Sequence, residues 1–222
     1  MKTFVIKVIL LIPIAVLYSC ETENDLRTYS CDKTINEWVS DNIPSIRTMN
    51  RNNWNNVDEE RKRATYRAFT PEQRYKIWVG KIQQTLTLDW NENEKIHILK
   101  LLTYIETHPE IFNDEVMTES QYDELELFAY KWKEDAILLL KWSEKLVFAI
   151  IASPNNLIDK DGNIEITEYR NRSISSTESD CNCNASWHTY NNCYSGDCKH
   201  TEKGCGPMWT YNCNGIVVQT NK

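Results

Sequence analysis

Six of the eight cysteines fall between Cys181 and Cys213, spaced Cys-x-Cys-x9-Cys-x4-Cys-x6-Cys-x7-Cys. Thiols at this density either crosslink the chain or hold a metal. A zinc site would need thiolates kept reduced, and the Cys-x2-Cys pair typical of such sites is absent. His188 and His200 are the imidazoles nearby, and no metal or cofactor is expected. Cys181, Cys183, Cys193, Cys198, Cys205 and Cys213 are therefore expected to form three disulfides. Cys181 and Cys183 are too close to bridge one another, so each bonds elsewhere; the remaining connectivity is open. Cys31 stands outside this set. It is either a free thiol or reaches the tail and releases one of the six. A segment of this length cannot bury enough apolar surface to fold on a core alone, so the bridges are its staples.

Other chemistry is sparse. The chain has no Gly-x-Ser-x-Gly elbow, no His-Glu-x-x-His and no phosphate-binding glycine loop. Glu94 and His97 lie one helical turn apart, but a di-metal bundle needs a second such pair and further carboxylates; the two are expected at the surface. The run Asp159-Lys-Asp-Gly-Asn-Ile-Glu-Ile-Thr-Glu168 resembles a calcium loop, but Leu157 stands where the first carboxylate belongs. A hairpin turning at Asp161-Gly162, flanked by Ile158, Ile164 and Ile166, is the preferred reading, with weak calcium binding as the alternative. The formal net charge is −7, which speaks against nucleic-acid binding. No catalytic residue is identified, and the chain is expected not to be an enzyme.

The N-terminus sets the compartment. Lys2 and Lys7 precede the apolar run Val8–Leu17, which is the pattern of a secretory signal over residues 1–19. The run is short for a membrane span, which takes roughly 20 apolar residues. Leu17-Tyr18-Ser19-Cys20 resembles a bacterial lipobox, which implies that Cys20 is lipidated and becomes the first residue of the mature chain. By the same analogy Glu21 favours the outer membrane, with the protein periplasmic or surface-exposed. Removing Lys2 and Lys7 leaves 23 basic against 32 acidic residues, a net of −9. Export also favours the disulfide reading, since disulfides persist outside the cytoplasm.

The elements that must carry these residues are mainly helical. Four of the six glycines follow residue 195, which leaves few for turns in a β-rich middle. Thr70-Pro71-Glu72-Gln73 and Thr118-x-x-Gln121 are capping boxes, the first with proline at the first helical position. Asn91 caps a helix whose apolar face is Ile98, Leu101, Leu102 and Ile105, ending at His108-Pro109. A long stripe runs through Tyr122, Leu125, Phe128, Ala129 and Trp132. Beyond it, Ala136 to Ala152 is apolar nearly all round and predicts a central buried helix. Ile35, Trp38 and Val39 predict a short helix before Pro44, and the charged stretch Asn56 to Ala68 predicts a solvated one. The fold class is therefore mainly α, a helical domain followed by a small disulfide-rich, irregular or β C-terminal domain. Residues 20–30 form a tether, 31–153 the helical domain, 154–180 a linker with the hairpin, and 181–222 the cysteine-rich tail. The polar stretch Arg170–Asp180 is expected to leave the two parts independent.

The tail holds Trp187, Tyr190, Tyr194, Trp209 and Tyr211 among small polar residues. Aromatics in so small a scaffold cannot all be buried. Trp187, Tyr190 and Tyr194 are the candidate binding residues, displayed as at recognition surfaces. Trp209 and Tyr211, among Gly204, Gly206 and Cys213, are expected to shield the bridges as a miniature core. The opening Cys181-x-Cys183 and the run Gly204-Cys205-Gly206-x-x-Trp209-x-Tyr211-x-Cys213-Asn214-Gly215 resemble the bacteriocin fulvocin C. The whole arrangement resembles the fulvocin C-related lipoproteins of Bacteroidota. The chain departs from the bacteriocin in its fewer tail cysteines and its large helical domain. The resemblance implies an exported, lipid-anchored, non-enzymatic protein with a disulfide-stapled, bacteriocin-like antimicrobial tail, either retained on the cell or released toward a target on another bacterium. The alternative is a cell-surface binding module for an envelope partner, without antibacterial activity.

Overall fold

The computed structural model describes residues 28–113, 115–166, 179–181, 193–195, 203–213 and 215–217. Seven α-helices form the body: α1 Lys33–Ile46, α2 Arg51–Asn55, α3 Glu59–Ala68, α4 Pro71–Thr85, α5 Glu92–Thr107, α6 Glu119–Leu138 and α7 Glu144–Ile151. Local signals start most of them. Thr70, Asn91 and Thr118 each accept the backbone N–H three residues on, and Gln73, Glu94 and Gln121 return the bond to the cap N–H, which satisfies two orphan donors per helix. Asp32 and Ser143 cap α1 and α7.

Three helices differ from expectation. α1 runs through Pro44 to Ile46. A proline in a last turn forfeits one bond, and fully buried Ile46 holds that turn in place. The predicted helix from Ala136 to Ala152 is instead two. α6 stops at Leu138, Lys141 takes φ 60°, and Ser143 opens α7 with its hydroxyl on the Leu146 amide. The break turns Trp142 into the interior while Leu138 and Leu139 stay exposed. α3 is not solvated: Lys62, Ala64, Thr65, Tyr66, Arg67 and Ala68 are all buried. Its cations point inward because partners distant in sequence receive them there, the Asn155 side chain for Lys62 and backbone carbonyls for Arg67.

The C-terminal region is built of short strands, β1 Ser179–Cys181, β2 Cys193–Ser195, β3 Gly204–Cys205, β4 Tyr211–Asn212 and β5 Gly215–Val217. β5 lies between β1 and β2, antiparallel to both, and β3 pairs with β4. The β3–β4 hairpin is closed by a Cys205–Cys213 disulfide. Between its strands the chain turns through Gly206 (φ 70°), Met208 (φ 49°) and Trp209 (φ 52°). A Cβ on Gly206 would both strain this left-handed backbone and collide with the Tyr211 ring.

This hairpin is seated in the helical core. Met208 is fully buried and Trp209 nearly so. The Trp209 ring meets Tyr66 edge-on at 5.2 Å and Trp54 at 6.4 Å between centroids. Its Nε1–H donates to the carbonyl of Ala152 at 2.9 Å. The miniature tail core expected for Trp209 is thus the core of the helical body itself, and at residues 203–213 the expected separation of tail from helices does not hold. Truncating a buried aromatic of this kind costs about 3–5 kcal/mol. Trp209→Ala should therefore lower the thermal midpoint of the whole helical circular-dichroism transition, in one step. A local loss confined to the tail, with the helical transition unmoved, would contradict this packing.

Candidate functional site

Two clusters bring together the described residues with chemical potential. The first surrounds Glu94 and His97, which are buried, at 7 % and 3 % exposure, and not at the surface as expected. Three tryptophans, Trp90, Trp132 and Trp142, close over them. His97 stacks on Trp132 at 4.6 Å and meets Trp142 edge-on at 5.5 Å. His97 and Trp132 exchange bonds: the Trp132 Nε1–H donates to the His97 carbonyl, and His97 Nε2 lies 3.0 Å from the Trp132 carbonyl, a geometry that makes Nε2 the protonated nitrogen. Burial, reinforced by the nearby Lys100 charge, pushes the His97 pKa down, so the ring is neutral at pH 7.

Glu94 has its acceptor sites engaged. Oε1 receives the Trp142 indole N–H at 3.1 Å; Oε2 receives the Asn91 amide at 2.9 Å and the Lys160 ammonium at 2.7 Å. Burial pushes its pKa up, but the bonds from Lys160, Asn91 and Trp142 outweigh burial and hold it below the usual value. Lys160 also sits 5.0 Å over the Trp90 ring. Such a carboxylate is a fixed anion that joins α5 to Trp142 and to the 159–163 turn. Glu94 and His97 thus both spend their polar atoms on bonds within the body. The 157–164 segment itself is tied by an antiparallel bridge between Leu157 and Ile164. Both Asp159 oxygens are occupied, by the amides of Asp161 and Asn163 and by the Asn163 side chain. Glu168, the last ligand of the calcium alternative, lies outside the described residues.

The second cluster is the seat of the hairpin. Arg63 donates one Nη1 toward the Gly204 carbonyl at 2.7 Å and the Cys205 sulfur at 2.9 Å, and its guanidinium lies 4.9 Å over the Trp209 ring. Arg67 donates to the carbonyls of Lys203 and Tyr29. Tyr66 Oη–H donates to the Met208 carbonyl. In return Lys203 reaches into the body, fully buried, and donates to the Ile111 carbonyl at 2.7 Å. The arrangement grips backbone. Signals for it existed in sequence, in the density of Arg and Lys over 61–67, but the tail partners of Arg63 and Arg67 are more than 130 residues away.

The expected site residues fare unevenly. Cys205 and Cys213 are bridged. Cys31 is disulfide-bonded and so is not a free thiol; its partner is neither Cys205 nor Cys213, which hold one another. Cys181, Cys193 and Tyr194 fall in β1 and β2 and are placed by backbone only. Cys20, Cys183, Cys198, Trp187 and Tyr190 lie outside the described residues, as do the signal segment and residues 167–178 of the linker. Among the described residues no helix is long and apolar enough to cross a membrane, and no three His, Cys, Asp or Glu side chains group to hold a metal ion. No family model, curated protein or solved structure matches the chain.

The seat makes a pH prediction. Burial, with the charge of Arg74 added, lowers Lys203 to about 7, against an ordinary value of about 10.4 in the unfolded chain. Lys81, also fully buried, is lowered too, by burial and then by Arg51. Between those limits the unfolded state binds protons that the native state does not, so stability rises with pH through the window. Below pH 7 the Lys203 ammonium is buried charged and its penalty is felt in full. Burial raises Tyr104 to about 12 and Tyr66 further, so stability falls again once unfolded tyrosines ionise above about pH 10. Thermal midpoints should therefore climb from pH 7 to about 9.5 and then turn down. Lys203→Met should flatten the climb, and a wild-type profile already flat over that range would refute the assignment.

Proposed function

We propose that this chain is an exported, non-enzymatic binding protein of the bacterial cell envelope, anchored in the outer membrane through a lipid on Cys20 and acting while attached. The observation that carries the reading is the seat of the 203–213 hairpin. Trp209, Met208 and Lys203 are core residues of the helical body, so a tail cut free upstream of them would carry its largest apolar anchor out of that core into water. Glu94 and His97, the acid–base pair nearest to catalytic spacing, are committed to fixed structural bonds, which supports a binding role over an enzymatic one.

A second reading keeps the bacteriocin-like effector of the fulvocin C resemblance, with Trp187, Tyr190 and Tyr194 contacting a target on another bacterium. The three-stranded β1-β5-β2 sheet favours it, because that sheet is made from tail strands alone.

One set of measurements separates the two. The whole chain should fractionate with the outer membrane, Cys20→Ala should release it, and limited proteolysis should not liberate a folded tail. The oxidised peptide 178–222 should neither fold cooperatively nor inhibit growth of related bacteria. A protease-stable 178–222 fragment that inhibits growth would overturn the proposal in favour of the effector.

A further inference from the structure

The Cys205–Cys213 bridge has a cation against its sulfurs. Arg63 runs from α3 to the hairpin with its stem along Gly204, where a Cβ would stand 3.0 Å from the Arg63 Cγ. Its Nη1 reaches three acceptors: the Gly204 carbonyl at 2.7 Å, Cys205 Sγ at 2.9 Å and Cys213 Sγ at 3.5 Å. The guanidinium also rests over the Trp209 ring at 4.9 Å. A disulfide sulfur is neutral and a weak acceptor, so it gains little from this neighbour. A thiolate in the same place would gain much more, because the bond is then charge-assisted on both sides. Cys205 and Cys213 are each only 4 % exposed, so water screens the contact weakly.

The cation therefore favours the reduced pair. With a dithiol as reductant, one of its thiolates attacks Cys213 Sγ. The bond to Cys205 breaks, and its electron pair leaves on Cys205 Sγ, beside Arg63 Nη1. The second thiolate of the reductant then closes the reductant's own disulfide and displaces Cys213. Two electrons have passed to the pair. Of the two protons the dithiol gives up, one goes to Cys213 and one to solvent, and Cys205 remains a thiolate. An adjacent arginine lowers a thiol pKa. A low-pKa thiol leaves faster, and a pair with a stabilised reduced form is more easily reduced. The contacts that keep hairpin and cation together do not pass through the bridge. The Trp209 indole bonds the Ala152 carbonyl, Tyr66 bonds the Met208 carbonyl, and Lys203 bonds the Ile111 carbonyl. Arg63 thus stays opposite Cys205 when the bond opens.

We infer that Cys205–Cys213 is a reducible pair that exchanges with dithiols, in which Arg63 holds Cys205 as the thiolate. The bridge is a redox-sensitive joint and not a permanent staple. Cys213 stands two residues before β5, the central strand of the three-stranded tail sheet, so the bond adds a covalent tie between the seated hairpin and that sheet. The inference does not depend on where the chain is anchored.

The test equilibrates the full chain with mixtures of reduced and oxidised dithiothreitol, quenches with iodoacetamide and digests with trypsin. Cleavage after Lys203 gives the peptide 204–222, which holds Cys205 and Cys213 and no other cysteine, so its alkylated fraction reports this pair alone. Arg63→Met keeps an apolar stem on Gly204 and should shift the exchange constant toward the disulfide by about tenfold. Arg63→Lys should recover part of that shift. In the reduced wild type, the pH midpoint of alkylation should be lower for Cys205 than for Cys213 by about one unit or more, and Arg63→Met should close the gap. A structural role for Arg63 alone would move neither midpoint. The two thiols are compared within the wild type, so this measurement decides should Arg63→Met misfold. Equal midpoints in the wild type, or an exchange constant unmoved in a folded Arg63→Met, would overturn the inference. Neither result touches the envelope reading, which fails only by release of an active tail.

Discussion

The indole N–H of Trp209, bonded to the carbonyl of Ala152 just past α7, is the contact on which the lower half of the molecule depends. Ala152 caps the helix, and its carbonyl is one of those a helix end leaves without an internal partner. Trp209 meets that need with a side chain that brings a large apolar ring along. The ring then fills the space between Trp54 of α2 and Tyr66 of α3. Tyr66 in turn accepts from the Trp78 indole of α4 and donates to Met208. One residue of the hairpin therefore closes a chain of contacts across four helices. The left-handed backbone at Met208 and Trp209 is strain that the disulfide and this seat together hold in place.

Around the seat, the interior is organised by cations meeting carbonyls. Arg74 donates to the carbonyls of Tyr66, Arg67 and Phe112. Arg51 does so to Ile77 and Pro154, and Lys203 to Ile111. All three cations donate to backbone oxygens, and Arg51 to the Asn156 side chain as well. A carbonyl is a neutral acceptor, so each contact carries one desolvation penalty where an ion pair carries two. The arrangement also fixes irregular backbone, since carbonyls in loops and at helix ends would otherwise be buried unpaired. Its consequence is electrostatic: burial and the charge of Arg74 together lower the Lys203 pKa.

Where sequence reasoning succeeds and fails follows the same physics. Capping boxes at Thr70, Asn91 and Thr118 are legible because cap and partner lie three residues apart. The mainly α class follows from composition, and the density of cysteines tells that Cys205 and Cys213 are bridged, but only the hairpin geometry tells that they bridge one another. α3 misleads because charge normally means solvent, and only partners far along the chain, Tyr29, Asn155, Lys203 and Gly204, make its inward cations favourable. Glu94 and His97 mislead for a related reason: their partners Trp132, Trp142 and Lys160 stand 35 to 66 residues downstream. The break at Lys141 is a partial case. Ser143 is a legible cap, but the apolar run on either side argues for continuity, and only the burial of Trp142 beside Glu94 decides for two helices. The exposed apolar residues of α5 and α6, Ile96, Leu99 and Leu127, are hidden by their own regularity, since apolar residues at helical spacing usually face a core.

The Glu94–His97 cluster and the open groove lined by Ile96, Leu99 and Phe128 are two sides of one helix. On the inner side α5 is held at His97 by reciprocal bonds to Trp132, and at its first turn by Glu94, whose bonds reach Trp142 and Lys160. Farther along, Tyr104 stacks between Phe128 and His108. These contacts fix both the separation and the rotation of α5 against α6. Side chains on the outer side, Ile96, Leu99 and Thr103, are therefore presented in a set order. The buried carboxylate and imidazole thus act on the outer side through position: they hold in place the helix that presents it.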